Sequence, residues 1–120
     1  MSGFARIRNV VLECPDPKAL AGFYAELTGW QVVGVEPDWV SLSDGGEVKL
    51  AFQEAPGHKP PTWPDDSSSM QFHLDFTVDD LKTAGDRAMA LGATKFDHQP
   101  GGDDFEVYAD PAGHPFCLCV

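Results

Sequence analysis

A histidine and an aspartate lie two residues apart within the stretch from Met70 to Asp80. Apolar and polar residues alternate in this stretch, with Phe72, Leu74, Phe76 and Val78 between Gln71, His73, Asp75 and Thr77. A period of two predicts a strand on which His73 and Asp75 share the polar face. A carboxylate beside an imidazole can orient the ring for binding a polar ligand group. We interpret His73 as lining a pocket; the alternative that this segment leaves open is a half-exposed histidine whose charge Asp75 balances.

A cysteine near the end of the chain adds a second kind of chemistry. Cys117 and Cys119 would share one face of the predicted last strand, Pro115 to Val120. A thiolate beside an imidazolium is a nucleophile, so Cys117 next to His73 is a candidate for covalent catalysis. The alternative, which we favour, is that Cys117 is a small buried apolar residue. Three cysteines without a C-x-x-C pair indicate free thiols in a reducing compartment.

Several aromatic side chains are candidates to stack on a flat ligand in the same pocket: Trp39, Phe52, Trp63, Phe105 and Tyr108. Some of them must form the core, and Trp39 and Phe52 are the first candidates for that role, although Trp39 also stays among the ligand-binding candidates. Trp63 lies in residues 55–69, a proline-rich stretch without periodicity that is long for a loop in a compact domain. Two roles stay open for Trp63, a lid over the ligand and an anchor for this loop.

The elements that must position these residues follow from periodicity and capping signals. Asp16 before a stripe of apolar residues and Gly29 after it predict a helix between them. In the same way, Asp79 or Asp80 and Gly92 delimit a second helix. Besides the strand of His73, strands are predicted at Ile7 to Cys14, Trp30 to Glu36, Trp39 to Ser43, Glu47 to Glu54, Ala93 to Asp97, Phe105 to Ala109 and Pro115 to Val120.

Each half of the chain therefore consists of a strand, a helix and three strands, and Ala21-Gly22 in the first helix matches Ala84-Gly85 in the second. We predict an α+β fold of two tandem βαβββ modules, about 5–55 and 70–120, joined by loop 56–69 within a single domain, 1–120. Their curled mixed sheets would enclose a cleft. The residues predicted to line this cleft are Asn9, Val11, Glu13, His73, Asp75, Thr77, Cys117 and Cys119.

Three motifs, in this order, resemble the vicinal oxygen chelate superfamily of glyoxalase I, bleomycin-resistance proteins and extradiol dioxygenases. They are the first helix from Asp16 through Phe23-Tyr24 to Gly29, the opening of the second half from His73 to Asp80, and the segment from Tyr108 through Asp110-Pro111-Ala-Gly113 to Leu118. The duplicated βαβββ order agrees with this resemblance. The chain is most similar to the small glyoxalase-like domain proteins, which implies the two-module fold around a cleft.

The resemblance also implies where a metal would bind. Metal-dependent members use His, Gln or Glu at one position on each of four cleft strands. By position these fall at Asn9, Leu50 (or its neighbour Lys49), His73 and Cys117. Only His73 keeps a usual ligand type, and an imidazole with a thiol does not suit Mg²⁺ or Mn²⁺, which prefer oxygen ligands. We therefore favour no metal and no cofactor; if a divalent metal binds, His73 with Glu13 and Asp75 is the expected set.

Composition limits the partners. Nineteen acidic residues against eight basic ones give a net charge of -11. Such a surface repels phosphate backbones and anionic lipids, so we expect neither nucleic acid nor a membrane as a partner. The N-terminus has no signal-peptide pattern, and we expect a cytoplasmic protein. Sheet edges need covering, and small members of the resembling family commonly pair, so a homodimer is expected.

The function expected from these observations is the binding of a small, partly aromatic organic molecule in the cleft, for sequestration or resistance. The residues expected to bind it are Asn9, Glu13, Trp39, Leu50, Trp63, His73, Asp75 and Cys117. Catalytic residues stay unassigned. The alternative is an enzyme of the same superfamily, a metal-dependent lyase, isomerase or dioxygenase.

Overall fold

The computed structural model describes residues 3–67 and 69–120, which divide into two compact units, one up to His58 and the other from Lys59 onward. The first unit contains β1 (Asn9–Cys14), α1 (Pro17–Thr28), β2 (Gln31–Glu36), β3 (Trp39–Ser43) and β4 (Lys49–Glu54). The second contains β5 (Leu74–Thr77), α2 (Leu81–Ala90), β6 (Thr94–Lys95), β7 (Phe105–Ala109) and β8 (Pro115–Cys119). The predicted α+β fold of two βαβββ modules is confirmed. Neither of the helices in the described residues has the length and apolar composition that spanning a bilayer requires.

The first helix begins and ends where its capping residues predict. Asp16 is the N-cap of α1, and its Oδ1 accepts a hydrogen bond from the amide of Ala19 at 3.3 Å. At the other end Gly29 adopts a φ of 75°, and its amide donates to the carbonyl of Ala25 at 2.8 Å. This left-handed conformation costs glycine little, which is why the helix stops there.

The sheet of the first unit has the strand order β1-β4-β3-β2, with β1 and β4 parallel and the other pairs antiparallel. Tyr24 of α1 stacks on Phe52 of β4 with the ring centroids 5.5 Å apart, and both side chains are fully buried. Phe52 therefore faces the helix, together with its register partners Leu12 of β1 and Val40 of β3. The alternate residues of these strands project from the opposite face.

The sheet of the second unit has the corresponding order β5-β8-β7-β6, with β5 and β8 parallel. Its helix α2 approaches the sheet at Gly85, where the hydroxyl of Tyr108 fills the space that a Cβ would need. Tyr108 of β7 stacks on Phe116 of β8 at 5.8 Å, and Phe116 contacts Phe76 of β5 at 5.9 Å. These three rings form the helix-facing core of the second unit.

The strand that carries Asp75 is shorter than predicted. Gln71 adopts a φ of 64°, outside the strand region of backbone space, and β5 begins only at Leu74. The prediction that Phe72 belongs to the apolar face of this strand is therefore wrong, since Phe72 is 91% exposed. β6 is also shorter than predicted, with two residues in place of a strand from Ala93 to Asp97.

A turn held by one buried side chain leads into β8. Asp110 accepts, through Oδ1, hydrogen bonds from the amides of Ala112 at 2.9 Å and His114 at 3.0 Å. Gly113 has a φ of 93°, and Pro60 occupies the space beside its α-carbon, so a side chain at this position would be strained and crowded. This turn fixes the start of the strand that carries the candidate thiol.

Candidate functional site

Asp75 and Cys117 lie side by side on the face of the second sheet that points away from α2. β5 and β8 are parallel neighbours, and Asp75 pairs with Cys117 in register. Each is one residue away from a ring of the helix-facing core, Phe76 or Phe116, so both project from the opposite face. The polar face predicted for β5 thus continues onto β8, which adds a thiol to it.

Asp75 is the central member of a three-residue cluster. Its Oδ1 lies 3.1 Å from Nε2 of His73. His73 is the residue just before β5, and its side chain is 38% exposed. The thiol of Cys117, which is buried, lies close to the same carboxylate. One donor atom from each of the three residues lies within 4.8 Å of the other two. The imidazole and the thiol therefore meet at the same carboxylate.

The environment of Cys117 keeps its thiol protonated. Burial raises the pKa of Cys117 to about 12, and the charge of Asp75 and its hydrogen bond to the thiol add to this effect. Burial, followed by the charge of Asp75, also raises the pKa of Cys119. Because the thiolate is the reactive form, this environment argues against Cys117 as a nucleophile activated by His73. It favours hydrogen bonding by the cluster over covalent attack.

Other predicted ligand-binding residues lie on the first sheet, on the face turned away from α1. Glu13 of β1 pairs with Gln53 of β4, and Gln53 pairs with Trp39 of β3, so the three side chains form one row across the sheet. Asn9 lies at the other end of β1 and pairs with Lys49. The structure thus brings Glu13 and Trp39 onto one row and Asn9 onto the same face. Their contribution to ligand binding stays a prediction.

Leu50 lies on the other face of the same sheet. It shares the helix-facing side of β4 with Phe52, and it is buried. Since side chains alternate along a strand, its neighbour Lys49 projects from the polar face with Asn9. The side chain of Leu50 is therefore part of the core, and Lys49 is the neighbour that occupies the polar face at this position.

Trp63 packs on residues of its own unit. Its ring lies edge-on to Phe96 at 5.0 Å and tilted against His98 at 5.4 Å. Three residues earlier in the chain, Pro60 contacts Gly113. These contacts support the role of an anchor for the loop over that of a lid. Contact between Trp63 and a ligand stays a prediction.

The contact between Asp75 and Cys117 is the feature of this site that sequence reasoning missed. Both residues are predicted to lie on the cleft face, but nothing in the sequence pattern predicts a contact between Asp75 and Cys117. The signal that reveals the contact is the parallel pairing of the first and last strands of each module, β1 with β4 and β5 with β8. Applied to the second half of the sequence, this pairing would have placed the last strand beside the strand of Asp75, and the register observed in the structure then puts Cys117 next to Asp75.

A family model of the glyoxalase-like domain matches residues 9–119. The chain belongs to the glyoxalase-like domain family. No curated protein matches the chain. Among solved structures, a glyoxalase/bleomycin resistance protein/dioxygenase family enzyme from Burkholderia phytofirmans PsJN is similar, with 22% identity and a TM-score of 0.70 over 95% of this chain and 97% of the other. A glyoxalase-related enzyme from Fulvimarina pelagi has 20% identity and a TM-score of 0.70, covering 97% and 88% of the two chains.

A glyoxalase family protein from Enterococcus faecalis is similar to the same degree, with 20% identity and a TM-score of 0.68 over 98% of both chains. At these identities the likeness concerns the fold of the glyoxalase-like domain.

In this glyoxalase-like domain, the residues at the family's metal positions fit a hard divalent ion poorly. The side chain of Leu50 has no donor atom and lies in the core. Cys117 offers a sulfur, whereas Mg²⁺ and Mn²⁺ prefer oxygen ligands. Glu13 of the alternative set belongs to the first unit, and His73 and Asp75 belong to the second. A site formed by these three residues stays a prediction.

Proposed function

We propose that this glyoxalase-like protein binds a small, partly aromatic organic molecule at the polar face that carries His73, Asp75 and Cys117. Binding would not need the hard divalent ion that metal-dependent members use. The observation that carries the proposal is the contact between Nε2 of His73 and Oδ1 of Asp75 at 3.1 Å, beside a thiol on the neighbouring strand. A few fixed polar groups of this kind are what a small-molecule site uses to orient its ligand.

The contact with Asp75 defines the ligand group that His73 would meet. In the neutral imidazole, Nε2–H donates to Asp75 Oδ1, which leaves Nδ1 as a hydrogen-bond acceptor. A hydroxyl or an amide N–H of the ligand would donate to Nδ1, and the partial exposure of the ring leaves it accessible. If both modules line the cleft, Asn9, Glu13 and Trp39 would supply further polar and aromatic contacts.

A thermal-shift screen of small organic molecules in the presence of EDTA tests this proposal. A ligand at 100 times its Kd raises the free energy of unfolding by about 2.7 kcal/mol, which corresponds to a shift of several degrees in Tm for a domain of this size. The shift should be lost in His73→Ala and Asp75→Asn and kept in His58→Ala, a histidine of the first unit. A shift that is unchanged in His73→Ala would contradict the proposed site.

A metal-dependent enzyme is the second candidate function. Two similar structures are named as a glyoxalase/bleomycin resistance protein/dioxygenase family enzyme and a glyoxalase-related enzyme, which favours this candidate. The enzyme would be a lyase, isomerase or dioxygenase with His73, Asp75 and Glu13 holding the metal. Elemental analysis followed by titration with Fe²⁺, Ni²⁺ and Mn²⁺ tests it. Binding that needs Glu13 as well as His73 would support the enzyme, and binding unaffected by Glu13→Ala would exclude this ligand set.

We further propose that the protein is a homodimer in the cytoplasm. Each sheet ends in two edge strands, β1 and β2 in the first unit and β5 and β6 in the second. Edge strands with apolar side chains need covering, and Val32, Val33 and Val35 of β2 are all about half exposed. Light scattering should give twice the chain mass of 13.0 kDa. A mass equal to that of a single chain at micromolar concentration would contradict the dimer.

A further inference from the structure

A basic cavity of the first unit has no part in the proposed function, whose site lies in the second unit. It is formed by the residues that precede β1 and by the start of β4, and its volume is about 430 Å³. Two apolar side chains, three cationic ones and one carboxylate line it: Phe4, Ile7, Arg6, Arg8, Lys49 and Glu47. We infer that this cavity binds a small organic anion, with its carboxylate or phosphate group on the three cations and its apolar part on Phe4 and Ile7.

The charge of this cavity is opposite to that of the rest of the chain. The cavity contains three of the eight basic residues and one of the nineteen acidic ones, so the acidic residues are in large excess elsewhere. At physiological ionic strength, exposed charges more than about 8 Å apart are largely screened from each other. An anion in the cavity is therefore attracted by the adjacent cations more strongly than distant carboxylates repel it.

The three cationic groups are available to an external anion. Within the part of the chain that the structure describes, the side chains of Arg8 and Lys49 have no carboxylate partner. Arg6 has Glu47 as a partner, but its Nη1 is 3.9 Å from Oε1 of Glu47, which is too long for a hydrogen bond. These two side chains are 84% and 76% exposed, and an exposed ion pair of this kind contributes little to stability. A bound anion can therefore replace Glu47 as the partner of Arg6.

The backbone holds two of the cations next to each other. The amide of Lys49 donates to the carbonyl of Arg8 at 3.0 Å, and the parallel ladder of β1 and β4 starts where Asn9 pairs with Lys49. A guanidinium group presents parallel N–H donors that match two oxygens of a carboxylate or a phosphate, and an ammonium group adds a compact positive charge. The arrangement therefore suits an oxyanion.

The apolar residues of the cavity indicate that the anion is organic. Phe4 is fully exposed and Ile7 is 67% exposed, although both are large apolar side chains. A ring or an alkyl group bound beside them would remove their surface from water, which is favourable. A cavity of this volume lies within the range of small-molecule sites.

An NMR titration of the isotope-labelled full chain with phenylacetate and with phenyl phosphate tests the inference, since these probes separate carboxylate from phosphate binding. Saturable shifts of the amide signals of residues 4–9 and 47–49 are expected with at least one probe. Phenylacetamide, which has the same ring without the charge, should bind at least about tenfold more weakly than the anion that binds. Equal binding of phenylacetamide, or no shift with either anion, would overturn the inference. Shifts confined to the second unit would overturn it too, and they would leave the proposed function standing.

Arg8→Gln distinguishes this site from a general attraction to positive charge. Loss of a hydrogen bond to a charged group should weaken binding of the anionic probe about 10- to 100-fold. Lys18→Gln, the matched variant on α1 outside the cavity, should bind it as the wild-type protein does. Both side chains are exposed, so both variants should fold. Equal weakening in the two variants, or no weakening in Arg8→Gln, would overturn the inference.

Phe4→Ala tests the apolar part of the site. This variant should bind the phenyl probe more weakly than the wild-type protein does, because the ring of the probe loses its contact with Phe4. The cations stay in place, so the amide signals of residues 47–49 should still shift at saturation. Unchanged affinity for the phenyl probe in Phe4→Ala would overturn the assignment of Phe4 to the site.

Discussion

Matching glycines in the two helices, Gly22 of α1 and Gly85 of α2, have opposite surroundings. A side chain at Gly22 would meet no atom within 4 Å, whereas one at Gly85 would meet the hydroxyl of Tyr108. Gly22 lies six residues after the N-cap Asp16, and Gly85 lies five residues after the N-cap Asp80. A shift of one residue turns a helix position by about 100°, which is enough to move a residue from solvent to the sheet.

This shift changes which element fills the core. α1 buries the large side chains of Leu20, Phe23 and Tyr24 against its sheet, whereas α2 buries Gly85 and Ala88. In the second unit the large residues come from the strands instead, as Tyr108 and Phe116 show. The same order of elements can therefore be packed in two ways. In the first unit large residues come from both the helix and the strands, and in the second they come from the strands.

The polar faces of the two sheets differ as well. In the first unit the face carries Asn9, Val11 and Glu13 on β1, and the neighbouring strand β4 contributes Lys49, Ala51 and Gln53. In the second unit the corresponding strands β5 and β8 bring Asp75 and Cys117 together, and His73, just before β5, joins them. Among the described residues, this is the group of His, Cys, Asp and Glu side chains that is close enough to share an ion. The duplicated framework therefore carries this His, Asp and Cys cluster on one of its two copies.

Truncation of a core ring should separate the two faces of the second sheet most clearly. Phe116→Ala removes a fully buried ring and should lower the free energy of unfolding by about 3–5 kcal/mol. His73→Ala, on the opposite side, should change it by less than about 0.5 kcal/mol. Urea denaturation of both variants measures this difference. Similar losses in the two variants would mean that the assignment of the faces is wrong.

Thiol reactivity tests the electrostatics of the same face. In EDTA, alkylation of Cys117 should be about a thousandfold slower than that of a thiol with the ordinary pKa of 9.0, because its pKa is about 12. Cys119 on the same strand is half-exposed and should react first. Mass spectrometry of partially alkylated protein identifies the order of reaction.

Since the folded state keeps the Cys117 proton to a higher pH than the unfolded chain, the free energy of unfolding should fall between pH 9 and about pH 12.

The two glycines give the next test. Gly85→Ala places a methyl group against Tyr108 and should destabilise the protein by about 1–3 kcal/mol. Gly22→Ala adds a better helix former in open space and should stabilise it by up to about 1 kcal/mol. Chemical denaturation measures both changes against the wild-type protein. Effects of the same sign would show that the two glycines lie on the same side of their helices relative to the sheets.

The first helix could be predicted closely because its signals are local. Asp16 and Gly29 act through hydrogen bonds to residues only three or four positions away, so they set the ends of the helix independently of the rest of the fold. The start of β5 could not be predicted in this way. The alternation that suggested a strand from Gln71 onward is broken by the positive φ of that residue, which a period of two does not reveal.

The candidate site depended on contacts that are distant in the sequence. His73 and Asp75 could be paired because they lie two residues apart in an alternating pattern, and they are in contact although β5 begins only at Leu74. The contact of Asp75 with Cys117 required the order and register of β5 and β8, which spacing along the chain does not give. A one-residue uncertainty in register also left Leu50 and Lys49 as alternatives. The structure resolves it, because Phe52 fixes which face of β4 meets the helix.

The N-caps provide the smallest expected difference between the two units. Asp16 accepts from the amide of Ala19 at 3.3 Å, whereas Asp80 accepts from the amide of Thr83 at 2.7 Å. Asp16→Ala should cost about 1 kcal/mol. Asp80→Ala should cost more, because its hydrogen bond is shorter. Asp79→Ala is the matched control beside the second cap, and it should be close to neutral because Asp80 is the residue that caps α2.

The pH dependence of the second cap gives an independent check. Hydrogen bonds from the amide and then the hydroxyl of Thr83 lower the pKa of Asp80 below 3.8. A carboxyl group whose pKa is lower in the folded state stabilises the protein above its unfolded pKa, and the effect is lost as the pH falls through the folded pKa. The stability difference between the wild-type protein and Asp80→Ala, measured by urea denaturation, should therefore be full at pH 7 and shrink below pH 3.8. A difference that stays constant down to about pH 2 would show that the carboxylate of Asp80 does not cap the helix.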